Sequence, residues 1–405
     1  MWLWLHAYQL TAQCSGGVNV PVELERIPAQ EKLPPRPRFK RWLFLGILML
    51  LVGAAAAFLF WKGERSGAAF WGLATGLPVV LWGLLVVGRY FGYALLRGRC
   101  DERNTTTAAR YRADVARGQR FAWLIGEVLI NGLGSASTMT HEAVLAKKPL
   151  MMPCEPVNGG DPVRHRALAA TGEMADREAH YVQEVIAHVQ NLVAMLPPTL
   201  TCYLAVDTGE QFSTLPSLLQ KSVTHPLVRI RDLTGLEILD YWLDCHYDRA
   251  AALLVVSAQL YEDPQEDSGE AISVLLLTNC RLKDIPDVSV KVHRPQMCRD
   301  GNLNLAFERV MMWSGLDKTS LKQAWTSGGQ MASGDIFSKA REAHAPGLKA
   351  DKITHIDTVV GFAGIAAPWQ ALQLATRQCL NDSKAQLTVT ELAEDNRQLC
   401  IVSPE

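Results

Sequence analysis

The chain has 405 residues, and its 40 basic side chains nearly balance 41 acidic ones, which gives a formal net charge of −1. This balance excludes the strongly basic class of nucleic-acid-binding proteins, so we expect no nucleic-acid partner. Nine cysteines without a CxxC pair indicate reduced thiols, and therefore a cytoplasmic environment for most of the chain.

Residues 1–41 are expected to form a poorly ordered N-terminal segment in the cytoplasm. The first residues, MWLWLHAYQLTAQ, lack the basic leader and the long apolar core of a signal peptide. The later stretch KLPPRPRFKR combines prolines with cations. This composition predicts a stiff and basic approach to a membrane.

Two uncharged stretches follow, and each is long enough to cross a bilayer as a helix. Residues 42–61 read WLFLGILMLLVGAAAAFLFW, and residues 68–88 read AAFWGLATGLPVVLWGLLVVG. The polar link KGERSG separates them. We predict a transmembrane helical hairpin within residues 42–99 that contacts lipid through residues 42–88. The alternative is a buried helical hairpin of a soluble core.

Positive charges predict the orientation of this hairpin, because cytoplasmic loops carry an excess of Lys and Arg. The link between the spans holds only Lys62 and Arg65, with Glu64 between them. We therefore expect the inner membrane, with both termini and the large domain in the cytoplasm. The flanking cations are Arg36, Arg38, Lys40 and Arg41 before the first span, and Arg89, Arg97, Arg99 and Arg103 after the second.

Residues 100–120 are polar and Arg-rich and are predicted to be a linker or an exposed helix. Residues 121–405 alternate apolar strand patterns with amphipathic helix patterns, of which residues 178–196 are the clearest helix. Residues 122–278 predict the order β-α-(α)-β-α-β-α-β-β. After an irregular stretch (279–300) the remainder repeats a similar plan, in which ITHIDTVV is one strand. His141, His180 and His188 lie at helical spacing and are expected to be ordinary surface residues. The expected fold class is a layered α/β domain with mixed sheets, and an internal structural duplication is plausible.

Four segments, taken in order, resemble the β-ketoacyl synthases of the thiolase-like superfamily. EVLINGLGSAST is similar to their first strand and glycine turn. LDCHYDRAAALLVVSAQL with SGEAISVLLLT is similar to their paired central strands. LAFERVMMWSGLDKTSLKQAWTSGGQMASGD resembles the helix and His-Gly-Thr-Gly-Thr motif, and HIDTVVGFAGIAAPWQALQLA resembles the segment with their second histidine. The resemblance implies a thiolase-like fold over most of residues 120–405.

The same resemblance implies that the catalytic groups are missing. A condensing enzyme needs an acyl-accepting thiolate and two imidazoles. Trp325 occupies the first histidine position and Phe362 the second. The nucleophile is expected at the helix start after LVRIR, where the sequence reads DLTGLE, and Cys245 is about three turns further along. We therefore predict a vestigial pocket formed by Trp325, Phe362 and Thr234.

Other chemistry at these positions was weighed against simpler roles. Thr234 with His355 as a base is one alternative, but an N-cap threonine and a strand histidine are favoured. NGLGSAST as a phosphate cradle is a second alternative, but a plain turn is favoured. Cys154, Asp161 and His165 fit no standard set of metal ligands, and a surface loop is favoured. We expect no cofactor and no metal.

These features predict a membrane-tethered binding protein without catalytic activity. The order of a short membrane hairpin and an α/β domain resembles adaptor proteins of bacterial type VI secretion loci. That resemblance implies a secreted lipase effector or its VgrG spike as the protein partner. A homodimer is compatible with this architecture. The alternative is an acyl-transferring or acyl-binding protein that uses the same fold with a substituted site.

Overall fold

The chain divides into two compact units, which are described separately here. One is Glu23–Asp114, and the other is Val115–Glu405 with Met1–Val22. Residues 1–21, part of the segment expected to be poorly ordered, lie outside the described residues. The computed structural model describes residues 22, 24–65, 67–157, 159–282, 290–299, 301–329, 335–393 and 396–405.

The first unit contains two long apolar helices. Helix α1 covers Phe39–Phe60, and helix α2 covers Ala68–Gly118, with a π-helical stretch at Gly72–Gly76. Both could cross a membrane, by length and composition. Only 11% and 17% of their most apolar stretches are buried, whereas a core hairpin of a soluble domain would be mostly covered. This exposure favours the membrane hairpin. The identity of the membrane and the orientation stay predictions.

The two helices pack closely because small residues face large ones. The indole Nε1 of Trp82 donates a hydrogen bond to the Trp42 carbonyl oxygen at 2.7 Å. A Cβ atom at Gly46 would lie 2.8 Å from the Trp82 ring, and one at Gly53 would lie 2.3 Å from Pro78. Such small-residue contacts are typical of helix pairs in membranes.

Helix α2 continues well beyond the predicted second span. It has 51 residues, and at about 1.5 Å per residue it is far longer than the roughly 30 Å hydrocarbon core. The stretch 100–120, predicted to be a linker or an exposed helix, is helical as far as Gly118.

The second unit is organised around one mixed sheet of eleven strands among the described residues. A smaller three-stranded sheet lies beside it, in the order β2-β3-β7. The strands are β1 Phe121–Asn131, β2 Met152–Cys154, β3 Val163–Arg166, β4 Thr201–Asp207, β5 Leu227–Arg229, β6 Ala251–Gln259, β7 Ser268–Gly269, β8 Ala271–Thr278, β9 Val290–His293, β10 Gln296–Cys298, β11 Leu321–Ser327, β12 Ile353–His355, β13 Ala385–Ala393 and β14 Asn396–Pro404.

The large sheet contains the same topology twice. Its order is β12-β11-β13-β14-β9-β1-β8-β6-β4-β5, with β10 added beside β14. When the five main strands of each half are numbered in chain order, both halves read 3-2-4-5-1. In both halves the fifth strand is antiparallel to its two neighbours. The halves join through the antiparallel pair β1 and β9. The predicted duplication is therefore present in the topology.

Helices cover the sheet halves and divide the apolar core into three parts. The helices of this unit are α3 Ser137–Leu145, α4 Met174–Val193, α5 Leu215–Ser222, α6 Glu237–Cys245, α7 Leu303–Ser314, α8 Asp335–His344, α9 Asp357–Val360 and α10 Ala367–Asp382. Helices α4 and α5 pack on the outer face of the first half, and α7 and α8 pack on the outer face of the second. Helices α6 and α10 form a central layer.

Most long strands and helices agree with the sequence predictions, but several short elements differ. The apolar run ITHIDTVV was predicted as one strand, yet only its first three residues form β12, and the remainder forms α9. Strand β9 falls in a stretch predicted to be irregular. The small sheet and β11 were not predicted. Short strands of this kind are defined by their pairing partners, because three or four residues carry little periodic signal.

Candidate functional site

The start of helix α6 is occupied by side chains of the protein itself. The buried Asp207, the last residue of β4, accepts a hydrogen bond from the Gly235 N–H at 2.6 Å. The buried Gln398, on β14, accepts one from the Leu236 N–H at 2.7 Å through its Oε1 atom. The two amide groups that an acyl carbonyl or a nucleophile would meet at this helix start are therefore already bonded.

Gly235 leaves no room for a nucleophile at this position. Its φ angle is +55°, which favours glycine. A Cβ atom there would lie 2.4 Å from Oε1 of Gln398 and 2.9 Å from its Cδ atom. A cysteine at this position would displace the Gln398 amide from the helix start. Cys245 is the last residue of α6 and stands at the opposite end of the helix.

Thr234 does not have the role that the sequence favoured. The helix cap is Leu236, and no side chain of the cap residue bonds to the helix. Thr234 is exposed, and its carbonyl oxygen accepts a 3.3 Å bond from the Glu237 N–H. The expectation of an N-cap threonine was therefore wrong, because Asp207 and Gln398 come from distant strands and satisfy the amide groups instead.

Trp325 is packed in the core of the α/β unit. It lies on β11, is fully buried, and faces the central helical layer, whereas its neighbour Ala324 faces the outer core. Its Nε1 atom donates a hydrogen bond to Oε1 of Gln386 at 3.3 Å. Its ring centroid lies 5.5 Å from that of His141, which is itself buried. His141 was expected on the surface, and that expectation was wrong.

Phe362 is held in place through its backbone. Its N–H donates to the Asp267 carbonyl at 2.8 Å, and its own carbonyl accepts from the Gly269 N–H at 2.9 Å. A Cβ atom at Gly361 would lie 2.3 Å from the Ser268 carbonyl oxygen, and Gly361 has a φ angle of +78°. The half-buried Phe362 ring packs against the same central core as Trp325.

Asp357 connects the two segments that carry these aromatic rings. Its carboxylate accepts hydrogen bonds from the Ser327 hydroxyl and from the Gly328 N–H, each at 2.5 Å. Ser327 ends the strand that contains Trp325, and Asp357 begins the short helix that precedes Phe362. Burial raises the pKa of Asp357 to about 6, and the bond from Ser327 opposes this shift.

Asp207 has a similar electrostatic environment. Burial raises its pKa to about 6, and the hydrogen bond from the Gly235 backbone opposes the shift. In its ionised form the carboxylate accepts from the helix start, where the macrodipole is positive. The Asp207 carboxylate therefore stabilises the backbone at the start of α6. Its hydrogen bond comes from an amide group and not from a nucleophilic side chain.

The remaining predicted site residues do not converge. His355 is exposed, and its Nδ1 atom lies 2.8 Å from the hydroxyl of the buried Thr326, so no contact joins it to Thr234. In the NGLGSAST turn, the Leu133 and Gly134 N–H groups both bond to Asn131, which leaves them unavailable to a phosphate.

His165 was expected in a surface loop, but it is buried on β3. Its Nδ1 atom lies 2.8 Å from the Ser268 hydroxyl, and burial lowers its pKa. The described residues include no group of three or more His, Cys, Asp or Glu side chains that could hold a metal ion.

Sequence reasoning missed Asp207, Gln398 and Asp357. Asp207 and Gln398 lie at strand ends or within strands, and no local motif connects them with residue 235. A carboxylate at the end of a parallel strand could have been noticed as a candidate for the C-terminal edge of the sheet. Gln398 carries no such signal.

No protein-family model matches the chain, and no curated protein matches it. Solved structures do match, and several of them, including the three described next, have a TM-score above 0.5. The ketosynthase in "AntDE:AntF (apo): type II PKS acyl-carrier protein in complex with its ketosynthase bound to the hexaketide" has a TM-score of 0.54 at 11% identity, covering 71% of this chain and 100% of that chain.

The second is the ketosynthase from module 1 of the bacillaene synthase from Bacillus amyloliquefaciens FZB42, with a TM-score of 0.52 at 9% identity, covering 71% of this chain and 77% of that chain. The third is the ishigamide ketosynthase/chain length factor, with a TM-score of 0.51 at 12% identity, covering 70% and 99%.

At these identities the likeness shows the fold alone. Together with the repeated 3-2-4-5-1 topology, it shows that this chain has a mixed α/β thiolase-like fold, as predicted. Within that class, this protein combines the fold with two apolar N-terminal helices that are consistent with a membrane hairpin.

Proposed function

We propose that this protein is a membrane-anchored thiolase-like domain that has lost condensing chemistry and acts by binding another protein. The observation that carries this proposal is the start of α6. There Asp207 and Gln398 bond to the amide groups of Gly235 and Leu236, and a side chain at residue 235 would have to displace the Gln398 amide.

The other two positions support the same conclusion. Neither Trp325 nor Phe362 exchanges a proton in water, so neither can polarise a thioester or stabilise an enolate as an imidazole does. Opening this site for an acyl chain would also leave buried polar groups unpaired. Each such group costs about 1–3 kcal/mol, in addition to the apolar contacts of Trp325. A binding role does not require these changes.

We further propose that the partner is a secreted effector or the spike protein that carries it, as in type VI secretion adaptors. Support for this narrower proposal comes from the order of the segments, with two apolar helices ahead of an inert α/β domain. A membrane anchor would hold such a complex near a secretion apparatus. The fold by itself does not indicate which protein is bound.

The alternative is acyl binding or acyl transfer. The likeness to ketosynthase structures favours it, because that fold is used on acyl substrates in those proteins. This alternative requires Gln398 to leave the start of α6 and requires a nucleophile that the described residues of this site do not offer.

One experiment separates these functions. The full chain in nanodiscs is incubated with an acyl-CoA and with an acyl-acyl carrier protein, and intact mass and thiol release are followed, with an active ketosynthase as the positive control. We expect no acyl adduct and no thiol release above the buffer rate. An adduct of the acyl mass on any residue would replace the proposal with the enzyme alternative.

The partner is tested by crosslinking the tagged full chain in its native cells, with residues 1–120 as the control bait. We expect the full chain, and not the control, to capture a secretion spike or its effector. Capture of acyl carrier protein alone would support the acyl-binding alternative and contradict the adaptor role.

A further inference from the structure

The hairpin places a cluster of cations at one end, which we call the basic collar: Arg36, Arg38, Lys40, Arg41 and Arg89. All five residues are exposed. The hydrogen bond between Trp82 and Trp42 sets the level of the two helices relative to each other. Arg89 lies seven residues beyond Trp82, or about 10 Å along the helix, whereas Lys40 lies only about 3 Å from Trp42. Arg89 therefore stands past the start of α1, at the side where Arg36 and Arg38 precede that helix.

The collar has no acidic counterpart. Between residues 32 and 100 the only carboxylate is Glu64, which lies in the link at the other end of the hairpin. Within the described part of the chain, none of the five collar side chains forms an ion pair.

Three of the cations further along α2 differ in this respect, whereas Arg99 and Arg112 form no ion pair among the described residues. Arg97 pairs with Asp101 at 3.6 Å, Arg103 pairs with Glu31 at 2.7 Å, and Arg110 lies 4.0 Å from Asp114. Arg97 lies about 22 Å beyond Trp82, which is more than a Debye length past the collar at physiological ionic strength. Unpaired charge is therefore concentrated at the level where the apolar part of the hairpin ends.

We propose that the basic collar binds anionic phospholipid headgroups in the leaflet at that end of the hairpin. Cations beside an apolar span attract anionic lipid because both the charge and the hydrophobic anchor hold the segment at the surface. The proline-rich approach that contains Arg36 and Arg38 runs back along α2, because the Glu31 backbone N–H donates to Oδ1 of Asn104 at 2.8 Å. These two cations therefore lie between the level of Trp42 and that of Asn104. This inference rests on the hairpin spanning a bilayer and is independent of what residues 121–405 bind.

The test measures lipid selectivity at the protein boundary. The full chain is reconstituted in phosphatidylcholine vesicles with trace spin-labelled phosphatidylglycerol or spin-labelled phosphatidylcholine, and electron paramagnetic resonance gives the immobilised fraction of each. We expect the wild-type protein to prefer the anionic lipid by a factor of about three to five at about 0.15 M NaCl, and to lose most of this preference in about 1 M NaCl.

Two variants with equal loss of charge complete the experiment. The collar variant carries Arg36→Gln, Arg38→Gln, Lys40→Gln and Arg41→Gln, and we expect its selectivity to fall to about one. The control variant carries Arg97→Gln, Arg99→Gln, Arg103→Gln and Arg110→Gln, and we expect it to keep the wild-type value.

Equal selectivity in the wild type and the collar variant would overturn the proposal and would leave the collar to an acidic protein partner. An equal loss in both variants would also overturn it, because the effect would then be one of net charge alone. Extraction of the wild-type chain from vesicles by alkaline carbonate would reject the membrane-spanning hairpin and the collar with it. None of these results bears on the acyl-transfer experiment.

Discussion

At the scale of single residues, the start of α6 is surrounded by side chains of the protein itself. Trp325 and Phe362, which the sequence predicts at the positions of two catalytic histidines, both pack on the central core. Asp207 and Gln398 bond to the backbone at the start of α6.

Histidines at these two positions alone are therefore expected to give no condensation. In the variant Trp325→His with Phe362→His we predict no condensing activity, because no thiol stands at the start of α6 and Gln398 bonds to the backbone there. The measurement is formation of a ketoacyl product from an acyl-CoA and malonyl-CoA, compared with the wild type. Detection of that product would show that the site retains a functional nucleophile.

The ionisation of Asp207 makes stability depend on pH. Its pKa is about 6 in the folded protein and 3.8 ordinarily, so the folded state takes up the proton first and gains stability as the pH falls from 8 towards 5. The linked free energy is about 1.4 kcal/mol over this pH range, and it approaches about 3 kcal/mol only below the ordinary pKa of 3.8. We predict that Asp207→Asn reduces the gain in melting temperature between pH 8 and pH 5.

Thermal unfolding of both full-length proteins in detergent measures this difference. Asp357, whose pKa is also raised to about 6, is present in both proteins, so its contribution cancels in the comparison. Identical pH dependence in the two proteins would mean that Asp207 is not buried in the manner described.

At the scale of elements, close crossings of backbone and buried ion pairs fix the segments around the site. Gly269 of β7 passes so near the end of α9 that an added Cβ atom would lie 2.0 Å from the Val360 carbonyl oxygen. Helix α6 is fixed at its other end by Arg294, which pairs with Asp240 at 2.8 Å and also with Asp244. These contacts hold Phe362 and the start of α6 in position.

The crossing at Gly269 predicts a large effect of a single methyl group. Gly269→Ala should lower stability by about 2–3 kcal/mol or more, because the obstacle is backbone and cannot move aside. Gly126→Ala is the matched control, since its Cβ atom would meet only the flexible tips of Leu192 and Met195. Chemical denaturation measures the free energy of unfolding of both variants. Equal losses of stability would show that Gly269 does not pass this close to the Val360 carbonyl group.

The largely buried ion pairs of Arg294 are expected to contribute more to stability than an exposed ion pair does. Arg294→Met removes the ion-pair partner of the largely buried Asp240 and one of the two partners of Asp244, which keeps Arg117. It should cost about 3–5 kcal/mol at neutral pH, because the Asp240 charge is left without a partner. Arg281→Gln, which breaks the exposed pair with Glu405 at 2.5 Å, should cost less than about 1 kcal/mol. Denaturation midpoints compare the two, and a small effect at Arg294 would show that water reaches the pair.

At the scale of the whole molecule, the chain consists of an apolar helical unit and a duplicated α/β unit. The α/β unit begins near Val115, so the last residues of α2, up to Gly118, belong to this unit. The Arg117 guanidinium lies 3.4 Å from Asp244, and Gly118 packs against Trp313. A truncation that keeps these residues keeps the core of the α/β unit intact.

We therefore predict that deletion of residues 1–99 leaves a soluble and folded domain. Size-exclusion chromatography and a cooperative thermal transition, both without detergent, are the measurements. The matched deletion of residues 1–120 removes Arg117 and Gly118 as well, and it should melt at a lower temperature. Insoluble 100–405 protein under gentle expression would show that the domain boundary is misplaced.

The sequence by itself determined the elements whose signal is local. Uncharged runs of about 20 residues gave the hairpin, continuous apolar runs gave β6 and β8, and a one-sided apolar pattern gave α4, because burial imposes these periods on the chain. The assignment of Trp325 and Phe362 to the two histidine positions came from segments that resemble a known fold, and it stays a prediction.

Only the tertiary structure decided how distant segments meet. Strand β9 has four residues and acquires its identity from pairing with β1 and β14 at the centre of the sheet. Asp207, Gln398 and Gly235 are separated by up to 191 residues and share no motif, yet they complete one helix start. A hydrogen bond across such a distance depends on the packing of two sheet halves, and packing leaves no local pattern in the chain.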